Sequence, residues 1–209
     1  MLYLRNSIGT AAQSGFIPQG LPSFNEDEVK GYSYDPAKAK ELLTKAGYKA
    51  GSSTPEIKLL TIPAYTNLAS YVANELKQIG INVQVESVQK SLLLEQTSKS
   101  QALFFRGSWI ADYPDAENYL SVFYSKNPAP PNYTRYKNLQ FDALYEKALT
   151  EEDDSLRYSI YRQMDRLIIH DAPVVPLWYD QVLHLVHNNV SGFHPNGLNM
   201  LELRNARKL

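Results

Sequence analysis

The chain has 209 residues, of which 44% are hydrophobic, and this is enough for a large domain with an ordinary packed core. Its 21 Lys and Arg residues nearly balance 22 Asp and Glu residues, so the formal net charge of −1 argues against a nucleic-acid partner. The absence of cysteine excludes disulfides and thiolate catalysis. No apolar run long enough to cross a membrane and no basic-then-apolar leader is present, so the sequence predicts neither a membrane span nor a signal peptide within these residues.

The first third of the chain changes from irregular to helical. Residues 8–34 are rich in glycine and proline without a sustained period, which predicts an extended, turn-rich segment. Asp35-Pro36 then supplies a helix cap followed by proline at the first helical position, and Gly47 stands where a helix commonly ends. The sequence therefore predicts a helix over residues 36–46.

The next part of the chain alternates strands and helices. The apolar run at residues 57–62 is typical of a buried strand, residues 68–79 have apolar positions at helical spacing, and residues 81–85 alternate. A helical crossover of this kind joins parallel strands. A helix near residues 89–98 and a strand at 102–106 then extend the sheet, so the predicted class is α/β.

The last third begins with a pair of helices. Apolar residues at helical spacing from 138 to 171, interrupted at Asp153-Asp154-Ser155, predict a helical hairpin. Two prolines flank the apolar residues of 173–179, where a helix cannot continue. Alternation over residues 182–187 predicts a strand, and another short apolar run lies around 198–203.

One loop combines acidic and aromatic residues directly after a predicted strand. It reads Gly107-Ser108-Trp109-Ile110-Ala111-Asp112-Tyr113-Pro114-Asp115, and it places Asp112 between Trp109 and Tyr113. An unpaired buried carboxylate is heavily penalised, so we expect a cation to meet Asp112. Asp115 precedes a short helical sequence and is expected to cap that helix.

Signatures of catalysis and of metal binding are weak. The chain has no Gly-x-Ser-x-Gly elbow, dinucleotide fingerprint, phosphate loop or His-Glu-x-x-His motif. His184 and His187 are three residues apart on a predicted strand, where they would point to opposite faces, so we expect no metal site there. The remaining enzyme hypothesis is a small hydrolase or transferase that uses Asp112 and Asp115 as an acid–base pair. We predict that the chain is not an enzyme and holds no cofactor.

Five segments, in order along the chain, resemble one family. Residues 34–48 are similar to the Tyr-Asp-Pro-x-x-Ala-x-x-Leu-Leu-x-x-Ala-Gly-Tyr helix of the dipeptide- and oligopeptide-binding proteins that serve ABC importers, family 5 of the extracellular solute-binding proteins. Residues 17–22 resemble their Pro-x-Gly hinge segment, and residues 107–115 resemble their Trp-x-x-Asp-Tyr-x-x-Pro-type segment. Residues 76–83 and 173–177 match further signatures of the same family.

The resemblance implies a fold and a domain organisation. It implies a periplasmic-binding-protein-like α/β lobe of type II, with a mixed sheet flanked by helices. Residues 1–34 would be a connecting segment near the hinge, and residues 35–172 would be the C-terminal ligand-binding lobe. Residues 173–209 would be a tail that returns to an N-terminal lobe absent from the chain, and an isolated chain would then self-associate through this tail.

The resemblance also implies a function and a site. The protein would be the substrate-binding component of an ABC importer, periplasmic or anchored at the cell surface, that captures a peptide by clamshell closure and delivers it to the permease subunits. It would meet the membrane only through an anchor or the importer. Asp112 aligns with the aspartate that binds the peptide's α-ammonium, Arg106 falls where some members hold the ligand's carboxylate, and Trp109 and Tyr113 would form pocket walls. The alternative ligand is another small solute, such as a metal chelate or a sugar.

Overall fold

The computed structural model of the protein describes residues 8–48, 55–195 and 200–209. Contacts between residues divide the chain into two compact units. The first unit includes Ser33–Ser108, and the second combines the segment that ends at Tyr32 with Trp109–Leu209. The predicted division into residues 1–34, 35–172 and 173–209 concerns the lobes of a longer protein and stays a prediction.

The first unit opens with helix α1 (Pro36–Lys45). The Asp35 side chain caps it by accepting a hydrogen bond from the Lys38 backbone N–H at 2.8 Å. Beyond its C-terminus, Gly47 has φ of +93°, a left-handed conformation that glycine adopts without strain. The helix predicted over residues 36–46 is confirmed to within one residue.

A parallel sheet forms the centre of the first unit. Strand β2 (Ile57–Thr61) lies between β3 (Val83–Ser87) and β4 (Phe104–Phe105), and both neighbours pair with it in parallel. Helix α2 (Thr66–Gln78) connects β2 to β3, and helix α3 (Lys90–Ser98) connects β3 to β4. The predicted α/β class and the predicted parallel strand–helix–strand unit are confirmed.

The core of the first unit closes over the central strand. Leu59 and Leu60 of β2 are at most 5% exposed, and Leu68 and Ala69 of α2 and Leu93 of α3 are also buried. Full burial of a leucine side chain contributes about 1.5–3 kcal/mol. The carboxyl ends of the three parallel strands share one edge of this sheet, where binding residues of α/β proteins commonly lie.

Three α-helices form the centre of the described part of the second unit. Helix α6 (Asp154–Asp171) packs on α5 (Leu139–Thr150) and on the short α4 (Ala116–Leu120). The Asp153 side chain caps α6 by accepting from the Leu156 backbone N–H at 3.0 Å. The predicted helical hairpin is thus confirmed, and its core contains the fully buried side chains of Ile17, Leu120, Phe123, Phe141, Met164 and Ile168.

The segment before Tyr32 is part of this core. Strand β1 (Thr10–Ala11) pairs antiparallel with β5 (Trp178–Tyr179), and the Ile17 side chain is only 1% exposed. Otherwise residues 8–31 consist of turns, bends and irregular chain, as their glycine and proline content predicts. Its packing makes it a structural part of the second unit rather than a loose connection.

A buried carboxylate on α6 holds this segment in place. Asp165, 3% exposed, accepts hydrogen bonds from the backbone N–H groups of Phe16 at 2.7 Å and Ile17 at 3.4 Å. A Cβ atom on Gly15 would lie 1.9 Å from the Asp165 Oδ2, so only glycine permits this approach. Burial raises the pKa of Asp165 to about 7, against the opposite effect of the two backbone N–H groups.

The strand predicted over residues 182–187 is wrong. No strand lies between β5 and β6 (Val190–Ser191), and the side chains of Leu183 and Leu185 are 71% and 90% exposed. Alternation gives a stable strand only where a partner strand and a covering layer are available, and the described part of the tail offers neither at these positions.

The end of the tail forms short pairings. β6 pairs antiparallel with β9 (Arg207–Lys208), and β7 (His194–Pro195) pairs antiparallel with β8 (Leu201–Glu202). The apolar run predicted around 198–203 falls partly on residues 196–199, which lie outside the described residues; β8 covers part of the remainder.

Candidate functional site

From Trp109 onward, the aromatic and acidic loop belongs to the second unit, and helix α4 follows it directly. The Asp115 side chain caps α4 by accepting from the Glu117 backbone N–H at 2.8 Å, as predicted. Its other oxygen lies 3.6 Å from Nη2 of Arg157 on α6. Asp115 therefore fixes the start of α4 against α6 and so fixes the residues of the first helical turn.

One of those residues, Asn118, forms hydrogen bonds with the loop through its side chain. Its side chain is buried, with 5% exposure, and its Oδ1 accepts hydrogen bonds from Trp109 Nε1 at 2.9 Å and from the Asp112 backbone N–H at 3.3 Å. A single amide oxygen thus binds two of the predicted site residues, Trp109 and Asp112.

Glu117 holds the loop from the other side of the same helical turn. One carboxylate oxygen accepts from the hydroxyl of Tyr113, and the other accepts from the hydroxyl of Tyr145 on α5. Burial and the bond to Glu117 raise the pKa of Tyr113 and raise that of Tyr145 well above its usual range. Both phenols therefore remain neutral hydrogen-bond donors at any physiological pH.

Asp112 itself is exposed. The premise that it lies buried among aromatic rings is therefore wrong for the described structure, because its carboxylate faces water although its backbone N–H is held by Asn118. Among the described residues, no Lys, Arg or His forms an ion pair with this carboxylate. The side chain is available to a cation from outside the chain, and its role as a ligand contact stays a prediction.

Arg106 belongs to the first unit, where it directly follows β4. Its backbone N–H donates to the Leu60 carbonyl at 2.9 Å and so extends the pairing with β2 by one residue. The guanidinium carbon lies 3.7 Å from the centroid of the Tyr65 ring, a close cation–π contact, and Nη1 donates to Ser108 Oγ at 3.3 Å. The arginine is thus held at the carboxyl edge of the parallel sheet.

Sequence reasoning does not identify three residues that support the loop: Asn118, Glu117 and Tyr145. The sequence of residues 115–120 predicts only a capped helix, although a residue three positions after a cap lies on the first turn and can face the preceding loop. That spacing is the available signal for Asn118. No local signal indicates Tyr145, because it reaches Glu117 from a different helix.

The acid–base hypothesis for Asp112 and Asp115 gains no support from this geometry. Asp115 is engaged as a cap and as a partner of Arg157, whose Nη2 also contacts Asp154 Oδ1 at 2.8 Å. A carboxylate that holds two structural elements together is a poor candidate for proton transfer.

The described residues contain no group of three or more His, Cys, Asp or Glu side chains that could hold a metal ion. His184 and His187 do not lie on a strand, so the argument from strand faces does not apply to them. His184 packs edge to face on Phe193, and His187 Nδ1 accepts from the Asn189 backbone N–H at 3.3 Å.

Within the part of the chain that the structure describes, no helix is both long and apolar enough to span a membrane.

Comparison with known proteins identifies a family. The family model described as bacterial extracellular solute-binding proteins, family 5, middle, matches residues 4–131. A dipeptide-binding protein of Bacillus subtilis, DppE, is 28% identical over 176 residues, which cover 82% of this chain and 32% of that protein. Heme-binding protein A of Haemophilus influenzae is 29% identical over 175 residues, which cover 81% of this chain and 31% of that protein.

A solved structure agrees with these matches. The periplasmic binding protein DppA of Helicobacter pylori, in complex with the peptide STSA, superposes with a TM-score of 0.78 and 29% sequence identity, covering 86% of this chain and 35% of that chain. The chain spans about a third of the length of the curated relatives named here. The family model covers more than half of the chain, and the fold agrees with it. The chain therefore belongs to family 5 of the bacterial extracellular solute-binding proteins.

Proposed function

We propose that the chain is the ligand-binding part of a two-lobed protein that captures peptides outside the cytoplasm and delivers them to the permease subunits of an ABC importer. Family membership supports this proposal, as do the dipeptide named for one relative and the peptide bound by another. The observation that carries it is the exposed carboxylate of Asp112 on a loop that Asn118 and Glu117 hold in place.

The chemistry of that loop suits a peptide's amino terminus. An exposed carboxylate can accept hydrogen bonds from an α-ammonium group, and the rings of Trp109 and Tyr113 offer apolar area with a polar edge. In water such an ion pair contributes only about 0–1 kcal/mol. When a second lobe closes and excludes water, the local dielectric falls and the pair strengthens, so ligand binding and closure favour each other.

Arg106 has a separate role in this proposal. Its position at the carboxyl edge of the first unit's sheet and its rigid contact with Tyr65 suit recognition of the peptide's carboxylate. A guanidinium already stacked on a ring loses less conformational entropy on binding than a free one. Recognition of a peptide's backbone would tolerate many side chains.

The test is Asp112→Asn in the full-length protein, with Asp27→Asn as a matched control that removes a 95% exposed carboxylate from the same unit. We expect calorimetry to show peptide affinity reduced by about 2–5 kcal/mol for Asp112→Asn and unchanged for the control. N-terminal acetylation of the peptide should have the same effect on the unmutated protein. Equal affinity for free and acetylated peptides would rule out this role for Asp112.

A second ligand class is favoured by one observation. A relative of 29% identity is named for heme rather than for a peptide, so the family accommodates other small solutes. If the protein binds no peptide, and its Asp112→Asn variant binds such a solute as tightly as the unmutated protein does, then its ligand belongs to this second class. In neither case does the proposed function include catalysis.

A further inference from the structure

We propose that Asn118 is a positioning residue that makes the site select ligands with a free amino terminus. The inference rests on the proposed function, because it concerns how the Asp112 carboxylate is presented to an α-ammonium. Asn118 does not contact the ligand in this proposal. It acts through the two loop residues that its side-chain oxygen binds, Trp109 and Asp112.

The hydrogen bonds of Asn118 determine the conformation of the loop at two levels. The bond from Trp109 Nε1 at 2.9 Å fixes a side chain, and the bond from the Asp112 backbone N–H at 3.3 Å fixes the main chain that carries the carboxylate. Because both donors share one oxygen, the indole ring and the Asp112 backbone cannot move independently. The loop therefore presents the indole ring and the Asp112 backbone, from which the carboxylate extends, in one fixed relation.

The position requires an acceptor oxygen at the reach of an asparagine side chain. Trp109 Nε1 and the Asp112 backbone N–H are both donors, and the Asn118 Oδ1 is the acceptor that they share. The side chain is 5% exposed, so water cannot replace a lost partner easily. Leucine has a similar size but would leave both donors without an acceptor.

Helix α4 supplies the rigid base for this arrangement. The capping residue of this helix, Asp115, pairs with Arg157 of α6. Glu117, which directly precedes Asn118, binds the hydroxyls of Tyr113 and Tyr145. Tyr145 is 5% exposed and belongs to the core of the second unit. Loop, cap and core are thus connected through one short helix, and the orientation of the loop is set before any ligand arrives.

The experiment compares Asn118→Leu with Asn132→Leu in the full-length protein. Asn132 is a matched control because it is a buried asparagine of the same unit, 2% exposed, whose amide bonds to the Tyr124 and Tyr136 carbonyls rather than to the loop. For each variant, calorimetry measures the affinity for one peptide with a free and with an acetylated amino terminus. The ratio of the two affinities is the readout, since a general loss of stability lowers both affinities together.

We expect Asn118→Leu to reduce the preference for the free amino terminus about tenfold or more, and Asn132→Leu to leave it unchanged. Asn118→Asp keeps the shared acceptor oxygen and should retain the preference. The indole N–H signal of Trp109 in the NMR spectrum should move in ligand-free Asn118→Leu and not in Asn132→Leu. If Asn118→Leu does not fold, Asn118→Ser replaces it, because its shorter side chain cannot reach both donors.

Two outcomes overturn the inference in distinguishable ways. If the unmutated protein prefers the free amino terminus, Asp112→Asn abolishes that preference and Asn118→Leu retains it, then Asn118 is not a positioning residue although the proposed function stands. If the unmutated protein shows no preference, the role of Asp112 fails and the role of Asn118 fails with it. An unmoved Trp109 signal in Asn118→Leu also contradicts the positioning role.

Discussion

The buried carboxylate of Asp165 makes a specific prediction about stability and pH. Burial raises its pKa in the folded protein to about 7 from an ordinary value of 3.8, so the folded state binds a proton over a pH range in which the unfolded state has released it. The stabilisation by this proton is complete below pH 3.8 and is lost as the pH rises through about 7. The free energy of unfolding should therefore fall with increasing pH across this window.

The magnitude follows from the shift. One pKa unit corresponds to about 1.4 kcal/mol, so the change between about pH 4.5 and about pH 7.5 is about 3 kcal/mol for a side chain as buried as this one. Asp165→Asn removes the titrating proton but keeps an oxygen that can accept from the Phe16 N–H. The difference in free energy of unfolding between Asp165→Asn and the unmutated protein, taken at the same pH, should therefore shift by about 3 kcal/mol in favour of the variant from the lower pH to the higher.

Urea unfolding followed by circular dichroism at the two pH values measures this difference. All other titrating groups are shared by the two proteins, so their contributions cancel in the comparison. Asp27→Asn, which removes an exposed carboxylate from the same unit, controls for the change in net charge. Parallel pH profiles for Asp165→Asn and the unmutated protein would refute the reasoning, because they would mean that Asp165 is ionised alike in both states.

Three further predictions concern packing and assembly. Gly15→Ala should lower the free energy of unfolding, measured with urea, by about 1–3 kcal/mol, because its Cβ would lie 1.9 Å from Asp165 Oδ2. Gly107→Ala is the control and should cost little, since the nearest atom to a Cβ at Gly107 is 3.8 Å away. Phe123→Ala should cost about 3–5 kcal/mol in the same assay, since this ring is completely buried; a loss below about 1 kcal/mol would contradict the packing. The 209-residue chain alone should bind peptides only at millimolar concentration. It should also self-associate through its apolar tail, where Leu185 is 90% exposed, and ultracentrifugation measures this association. Sub-micromolar binding by a monomer would contradict the two-lobed proposal.

Local features of the chain were predictable from the sequence. The cap at Asp35, the end of α1 at Gly47 and the cap at Asp115 are confirmed, because capping depends on atoms within a few residues of each other. The parallel arrangement of β2 and β3 was equally predictable, since the length of the helical crossover between them determines it. The ordered signatures likewise indicated the family, because each of them is a short run of neighbouring residues.

Predictions that depended on distant partners fared differently. The alternation over residues 182–187 resembles a strand, but a strand requires a neighbour, and the described chain provides none there. Asp112 was expected to be buried because aromatic residues flank it in the sequence, yet it is exposed. Its neighbours Trp109 and Tyr113 are held by α4 instead of covering the carboxylate.

The sequence by itself determined where the helices begin and end and that the strands of the first unit run parallel. It also indicated which loop carries the candidate site. These features were accessible because propensity, capping and periodicity act over short stretches of chain. Only the tertiary structure decided what that loop rests on. Asn118 acquires its role because the fold brings one oxygen to two donors, and Asp165 acquires its raised pKa because the fold buries it against a segment from the start of the chain. Hydrogen-bond geometry and desolvation depend on distances in space, and no local pattern of residues encodes those distances.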